Sequence, residues 1–327
     1  MELIPHGDER WVTVLEAMSR EAEWITEHRA DHHAELGIRA LREIDHVLER
    51  SAADPVRRAN VKLRLGSFLS FGAGELEDAE RECREAVALF EEAGDSAGSL
   101  LASHELAFTW QVQGKTVIAE AEALRLLRQA ETAEHRFAAM HNSALAGFSA
   151  HALAHFSLAE EMLRRSIAIA QEDGRLSQVS RASGWLAMAL AHEGRVDDAL
   201  AAVDVACTAD PGYRDAPALQ WEIVVHGAAG DYATAQRLAA ESLERTRTTG
   251  GLSRRRGFGL AVGALALGEA GRWEQARATL SRASTAYRGC DFFFCTHCCR
   301  WAEAVLGWGE HRRCDSITAL RRTASLL

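Results

Sequence analysis

The sequence predicts an all-α, right-handed α-solenoid of about eight antiparallel helix pairs, on three observations that share one period. Large apolar residues recur at Phe68, Phe108, Phe148 and Met188, each 40 residues after the last, and continue at Val224, Leu265 and Val305 after steps of 36, 41 and 40. Alanine keeps step at Ala40, Ala79, Ala119, Ala159, Ala199, Ala235 and Ala276. Mostly small residues do the same at Ser67, Ala107, Gly147, Ala187, Ala264 and Ala304, with Ile223 the exception. Columns that share a period over most of a chain mean that one structural unit has been copied.

Each unit reads as two antiparallel helices. In the fifth, Ala182–His192 is the expected first helix, Glu193-Gly194-Arg195 the turn, and Val196–Thr208 the second. Glycine marks this turn in other units at Gly74, Gly114, Gly230 and Gly271, where it supplies the positive φ that ends many helices. Between units, breaking or capping residues recur at Asp54, Gly94, Glu134, Gly174, Asp210, Gly250 and Gly289. Asp54-Pro55 and Asp210-Pro211 have the form of an N-cap followed by proline in the first turn. Small residues are expected where the paired helices cross, since bulk there would separate the axes.

The small residue, the alanine twelve positions later and a further small residue seven beyond that resemble the tetratricopeptide repeat signature. The pairs are Ser67 with Ala79, Ala107 with Ala119, Gly147 with Ala159, Ala187 with Ala199, and Ala264 with Ala276. The third place holds Ala86, Ser166, Ala206, Ser242 and Ala283, and Leu126 breaks it. The family's usual unit is shorter than this period, so either the helices or their junctions are longer here. The repeat length and Ala/Arg/Glu-rich style also resemble the sensor arms of MalT-like bacterial transcription activators. No Walker A loop or helix-turn-helix segment accompanies that likeness. The whole chain, 1–327, is expected to be one solenoid: a degenerate N-terminal cap repeat over 1–53, regular repeats over 54–289 and a C-terminal cap repeat over 290–327.

Composition narrows the function. Lys plus Arg total 37 against 47 Asp plus Glu, a formal charge of −10, which argues against direct nucleic-acid binding. No long apolar run points to a membrane span and the first residues do not form a signal peptide, so a cytoplasmic protein is expected. No glycine-rich phosphate loop or nucleophile elbow is present, and neither an enzyme nor a bound cofactor is expected. Carboxylates such as Glu80, Glu82 and Glu85 are expected on exposed second-helix faces.

The resemblance implies that the first helix of each pair lines a concave groove. Carried over residue by residue, that surface comprises Arg64, Phe68 and Phe71; His104, Phe108 and Gln111; His141, Phe148 and His151; and Arg181, Trp185 and Met188. Gln220, Trp221 and Val224 follow, then Trp301 and Trp308. Such a groove suits a peptide, a protein segment or a small effector, in a regulatory role. The alternative for the Phe column is burial between successive repeats. Two further chemistries remain open. His151 and His155, four apart on one helix with His141 nearby, have a metal-binding spacing. Cys290, Cys295, Cys298 and Cys299 with His297, joined by His311 and Cys314, have the elements of a zinc or redox site, although cysteines also serve as small core residues. A purely structural assembly module is a third reading.

Overall fold

A computed structural model describes residues 32–50, 54–73, 75–209, 217–248 and 271–286, with parts of 260–268 and 299–307. Its helices are α1 (His32–Arg50), α2 (Pro55–Ser67), α3 (Leu76–Glu92), α4 (Ser96–Val112), α5 (Thr116–Thr132), α6 (Arg136–Ala152), α7 (Phe156–Glu172), α8 (Leu176–His192), α9 (Val196–Ala209), α10 (Pro217–Ala228), α11 (Tyr232–Thr248) and α12 (Trp273–Ala286). The described residues contain no strand. From α1 to α11 each helix packs on its neighbours in sequence, making an all-α solenoid.

The 40-residue period has a simple origin. From α3 to α8, six consecutive helices of 17 residues are joined by turns of three. Two helices and two turns make one unit, so the residues beyond a shorter repeat lie in the helices. The first helix of the fifth unit accordingly starts at Leu176, six residues before the expected Ala182. In every one of these turns the third residue's N–H returns to a carbonyl five back, as in Lys115 N to Trp110 O (2.9 Å) and Arg195 N to Leu190 O (2.9 Å). The middle residue then takes the left-handed conformation. Glycine fills it at Gly94, Gly114, Gly174 and Gly194, while Glu134 (φ 52°) and Ala154 (φ 60°) adopt it without glycine's freedom.

Asp54 caps α2 as expected, its side chain accepting from Val56 N at 3.0 Å ahead of Pro55. Asp210-Pro211, Gly74, the start of the chain through His28 and most of the C-terminal cap lie outside the described residues. Helix crossings use small residues, with one correction. A Cβ on Gly147 would stand 2.6 Å from Leu163 Cγ and 3.1 Å from the Ala159 carbonyl, so α6 and α7 touch there. In α2 the equivalent place belongs to Gly66, not Ser67: its Cβ would meet Cys83 Sγ at 2.5 Å and the Ala79 carbonyl at 3.3 Å. A π-helical turn over Phe68–Ala73 follows, which accommodates one extra residue and absorbs the shift.

The acidic residues of α3 also depart from expectation. Glu80 and Glu82 are 8% and 7% exposed, because partners from neighbouring helices close over them. Lys62 Nζ of α2 reaches Asp45 (2.9 Å), Glu82 (2.7 Å) and the more open Glu85 (2.8 Å). Glu80 accepts from Trp110 Nε1 (2.9 Å), Gln113 Nε2 (2.8 Å) and Lys115 Nζ (3.0 Å), and pairs with Arg84. Burial alone would raise the Glu80 carboxyl, but these donors bring it down to about 2. Burial likewise opposes the Lys62 charge, and the three carboxylates override it and raise its pKa.

Candidate binding groove

Successive first helices (α2, α4, α6, α8 and α10) approach one another more closely than the second helices do. The strip therefore curves with the first helices on its inner side. Which of their residues reach solvent there follows from helical spacing. On α4 the half-buried stripe is Leu101, His104 and Phe108; on α6 it is Phe137, His141 and Ala144; on α8 it is exposed Arg181 with half-buried Trp185. Arg64 on α2 is half-buried as well.

Residues one turn away from that stripe are core, which corrects several expected groove positions. Phe68 (6% exposed) turns its ring onto Gly37 of α1, where an added Cβ would come within 2.6 Å. Phe148 (5%), Met188 (1%) and Trp221 (6%) pack between successive repeats, as does Val224. Gln111 is buried and accepts from Ser149 Oγ at 2.9 Å. A 17-residue helix flanked on both sides by other repeats has little open face, so the apolar column goes inward. The side chains of Phe71 and Gln220, together with Trp301 and Trp308, lie outside the described residues.

The core aromatics nevertheless support the surface. Phe148 and Trp185 have ring centroids 3.9 Å apart, and Trp185 and Trp221 4.9 Å. Gly184 makes room for the Trp221 indole, since a Cβ there would lie 2.3 Å from Nε1. Trp185 is thus the open member of a stack running along the first helices.

Next to it lies a polar wall. Asn142, fully buried, donates from Nδ2 to the Ala138 carbonyl at 2.9 Å, which leaves its Oδ1 facing His104 Nδ1 at 3.1 Å. His104 must then carry its proton on Nδ1, and a neutral ring keeps a lone pair on Nε2. His141 stands edge-on to His104 at 5.4 Å and to Phe137 at 4.4 Å. The Arg175 guanidinium sits 4.5 Å from the centre of the Phe137 ring, a cation–π contact. Burial pushes His104 down to about 4 and His141 to about 2, with Arg181 acting on both and Arg175 on His141. Both imidazoles are therefore neutral near pH 7.

The three histidines of the metal reading do not converge. His151, expected in the groove, is instead buried: its Nε2 pairs with His192 Nδ1 at 2.9 Å, and burial followed by His192 pushes it down to about 3. His155 instead pairs with Glu120 at 3.0 Å. Among the described residues no three His, Cys, Asp or Glu side chains are grouped to hold a metal ion. Cys299 packs against α12 with Leu280 and Ala283, and burial pushes its thiol up to about 11. Cys290, Cys295, His297, Cys298, His311 and Cys314 fall outside the described residues.

Sequence reading missed Phe137, Asn142, Arg175 and His192. A repeat-period search for large residues passes over all four, because none shares a column with the Phe series. Arg175 was legible only as the last residue of a turn.

No protein-family model matches the chain, and no curated protein does. Solved structures do. A Rap protein complexed with Competence and Sporulation Factor superposes with a TM-score of 0.65 at 14% identity, over 83% of this chain and 74% of that one. The fold is that of tetratricopeptide-like repeat proteins. The Rap conjugation gene regulator of plasmid pLS20, in complex with the Phr* peptide, matches at 0.55 and 11% identity, over 96% and 97% of the two chains. Yeast Tom70 also matches at 0.55, with 13% identity, over 92% of this chain and 58% of the other. Among the described residues no helix is long and apolar enough to cross a membrane.

Proposed function

We propose that this chain is a non-catalytic scaffold whose inner face, from α4 to α8, binds a peptide or an extended protein segment. The observation that carries this reading is the open edge of the aromatic stack at Trp185, with half-buried Phe108 packed on the same core cluster and the His104–His141 pair on α4 and α6. Apolar rings of this size supply affinity, and neighbouring polar groups fix the orientation of a bound chain. Two of the fold's solved neighbours, named above, are complexes, one with the Phr* peptide and one with Competence and Sporulation Factor, which makes peptide the first ligand class to test. A regulatory role follows if the ligand draws successive first helices together, tightens the superhelix and changes what a partner protein meets. Small-angle scattering that is unchanged by ligand would remove that step.

The binding reading itself is tested by affinity selection from a pool of random, end-blocked heptapeptides. The full chain should retain a subset of the pool. Phe108→Ala/Trp185→Ala, checked for folding by circular dichroism, should lose at least about tenfold of that retention, the effect of removing hot-spot aromatics. Equal retention by both proteins would contradict a groove at this place.

A further inference from the structure

The histidines of the middle repeats differ in what their ring nitrogens meet. His151 Nε2 faces His192 Nδ1 at 2.9 Å, and His155 Nδ1 faces Glu120 at 3.0 Å. His104 commits one nitrogen to the fold, Nδ1 against Asn142 Oδ1 at 3.1 Å. Among the described residues its Nε2 and both nitrogens of His141 have no hydrogen-bond partner. These three are not sealed off: unlike His151 Nδ1, none of them is a buried polar atom, so solvent reaches them. They stand on the half-buried stripes of α4 and α6 that also hold Phe108 and Phe137.

Two hydrogen bonds in series set the polarity of His104 Nε2. Asn142 is fully buried on α6, and its Nδ2 donates to the Ala138 carbonyl one turn back at 2.9 Å. An amide anchored in this way turns its oxygen toward His104, so Nδ1 must donate and carries the ring's proton. Burial keeps the ring uncharged at neutral pH, which leaves Nε2 a bare acceptor. His141 stands edge-on to the His104 ring at 5.4 Å and to Phe137 at 4.4 Å. A half-buried acceptor of fixed tautomer selects for a donor, because a ligand that excludes water without supplying one leaves it unsatisfied.

We propose that His104 Nε2 is a specificity-determining acceptor of the groove, taking an N–H from a neutral amide of the bound peptide. This rests on the peptide-groove reading above and adds its selectivity. The amide is either a main-chain N–H or the side-chain amide of asparagine or glutamine, which present the same donor. A carboxylate is disfavoured there, because its oxygens would face the imidazole lone pair. An apolar group strips water from Nε2 and supplies no donor, and an ammonium sheds more hydration than an amide on entering a half-buried wall.

The test uses the full chain and the best-retained heptapeptide from the random, end-blocked pool. In the free chain at neutral pH, nitrogen-15 spectra should show His104 protonated on Nδ1 and bare on Nε2. The opposite tautomer overturns the proposal. Each main-chain N–H of the peptide is then methylated in turn, and each Asn or Gln replaced by Met. One replacement should weaken binding to the unaltered chain about fivefold, the size of one lost hydrogen bond, yet leave binding to His104→Phe unchanged. A methylated position that does so identifies a main-chain donor, and a replaced Asn or Gln identifies a side-chain donor. His104→Gln, which can donate to Asn142 and still present an oxygen, should keep the dependence and so separates the lost acceptor from a folding defect. If no replacement loses its effect in His104→Phe, the proposal is overturned. The groove reading survives that result where retention still depends on Phe108 and Trp185. If no heptapeptide's retention depends on them, both readings fail together.

Discussion

The two parts of the chain between His32 and His192 solve the same packing problem with different chemistry. Around α1–α3, the repeats are tied by buried charge: Lys62 holds Asp45, Glu82 and Glu85, and Glu80 gathers Trp110, Gln113 and Lys115. From α4 to α8 the buried ties are apolar or neutral, with the ion pairs such as Arg136 to Glu172 left nearer the surface: Phe148 on Trp185, Asn142 on His104, His151 on His192. Ion clusters demand complete pairing, because an unpaired buried charge is very costly. Aromatic and neutral imidazole contacts tolerate an open side. That difference leaves the middle repeats able to offer a surface, while the N-terminal ones are committed to holding their own shape.

The largest expected effect breaks the charged half. Lys62→Met leaves three carboxylates facing one another and should cost about 3–5 kcal/mol in urea unfolding. A second substitution, Glu82→Gln, should recover part of the loss, since it removes one of the stranded charges. If Lys62→Met unfolds at the urea concentration of the unaltered chain, the cluster is not what ties α1–α3 together.

Acidity should separate the halves next. His104, His141 and His151 are held below their ordinary value of 6.5, so the folded state binds fewer protons than the unfolded one. The stability they contribute is whole above 6.5 and falls as the pH drops toward their folded values, by about 1 kcal/mol per buried histidine near pH 5.5. Glu80 keeps its contribution until the pH falls below its ordinary 4.5. Lys62, raised above 10.5, loses its own only in strong alkali. Hydrogen exchange at about pH 5.5, corrected for intrinsic rates, should therefore loosen α4–α8 before α1–α3. The reverse order would contradict the assignment.

A smaller effect sharpens the picture of the turns. Ala154 holds positive φ where its counterparts Gly114 and Gly194 do so freely. Ala154→Gly should stabilise the chain by about 1 kcal/mol, read as a higher melting temperature, because the left-handed conformation strains a side-chain-bearing residue.

Much of this architecture was legible in the sequence, and the reasons are specific. Uniform 17-residue helices and three-residue turns make every column land at the same interval, so the period of Ala79, Ala119 and Ala159 was visible without coordinates. The inner face was only partly legible. Arg64, His104, Phe108, His141, Arg181 and Trp185 stand on open or half-open stripes, whereas Phe68, Phe148, Met188 and Trp221 turned inward. A single turn of helix separates Trp185 from Met188, and periodicity cannot say which side the next repeat covers. Buried Glu80 and Glu82 escaped for a related reason: the cations they meet, Lys62 on α2 and Lys115 in the turn before α5, lie 20 and 35 residues away. The π turn after Ser67 left no sequence mark beyond the small residue falling at Gly66 instead.

The central claim is that ligand meets the inner face of the middle repeats. Its most direct test is hydrogen exchange of the full chain at neutral pH with and without the heptapeptides that it retains from the random pool. Protection should rise in α4, α6 and α8, on the residues around His104, His141 and Trp185, and stay unchanged in the second helices α5 and α7. Protection confined to α5 and α7, or none anywhere at saturating peptide, would contradict it.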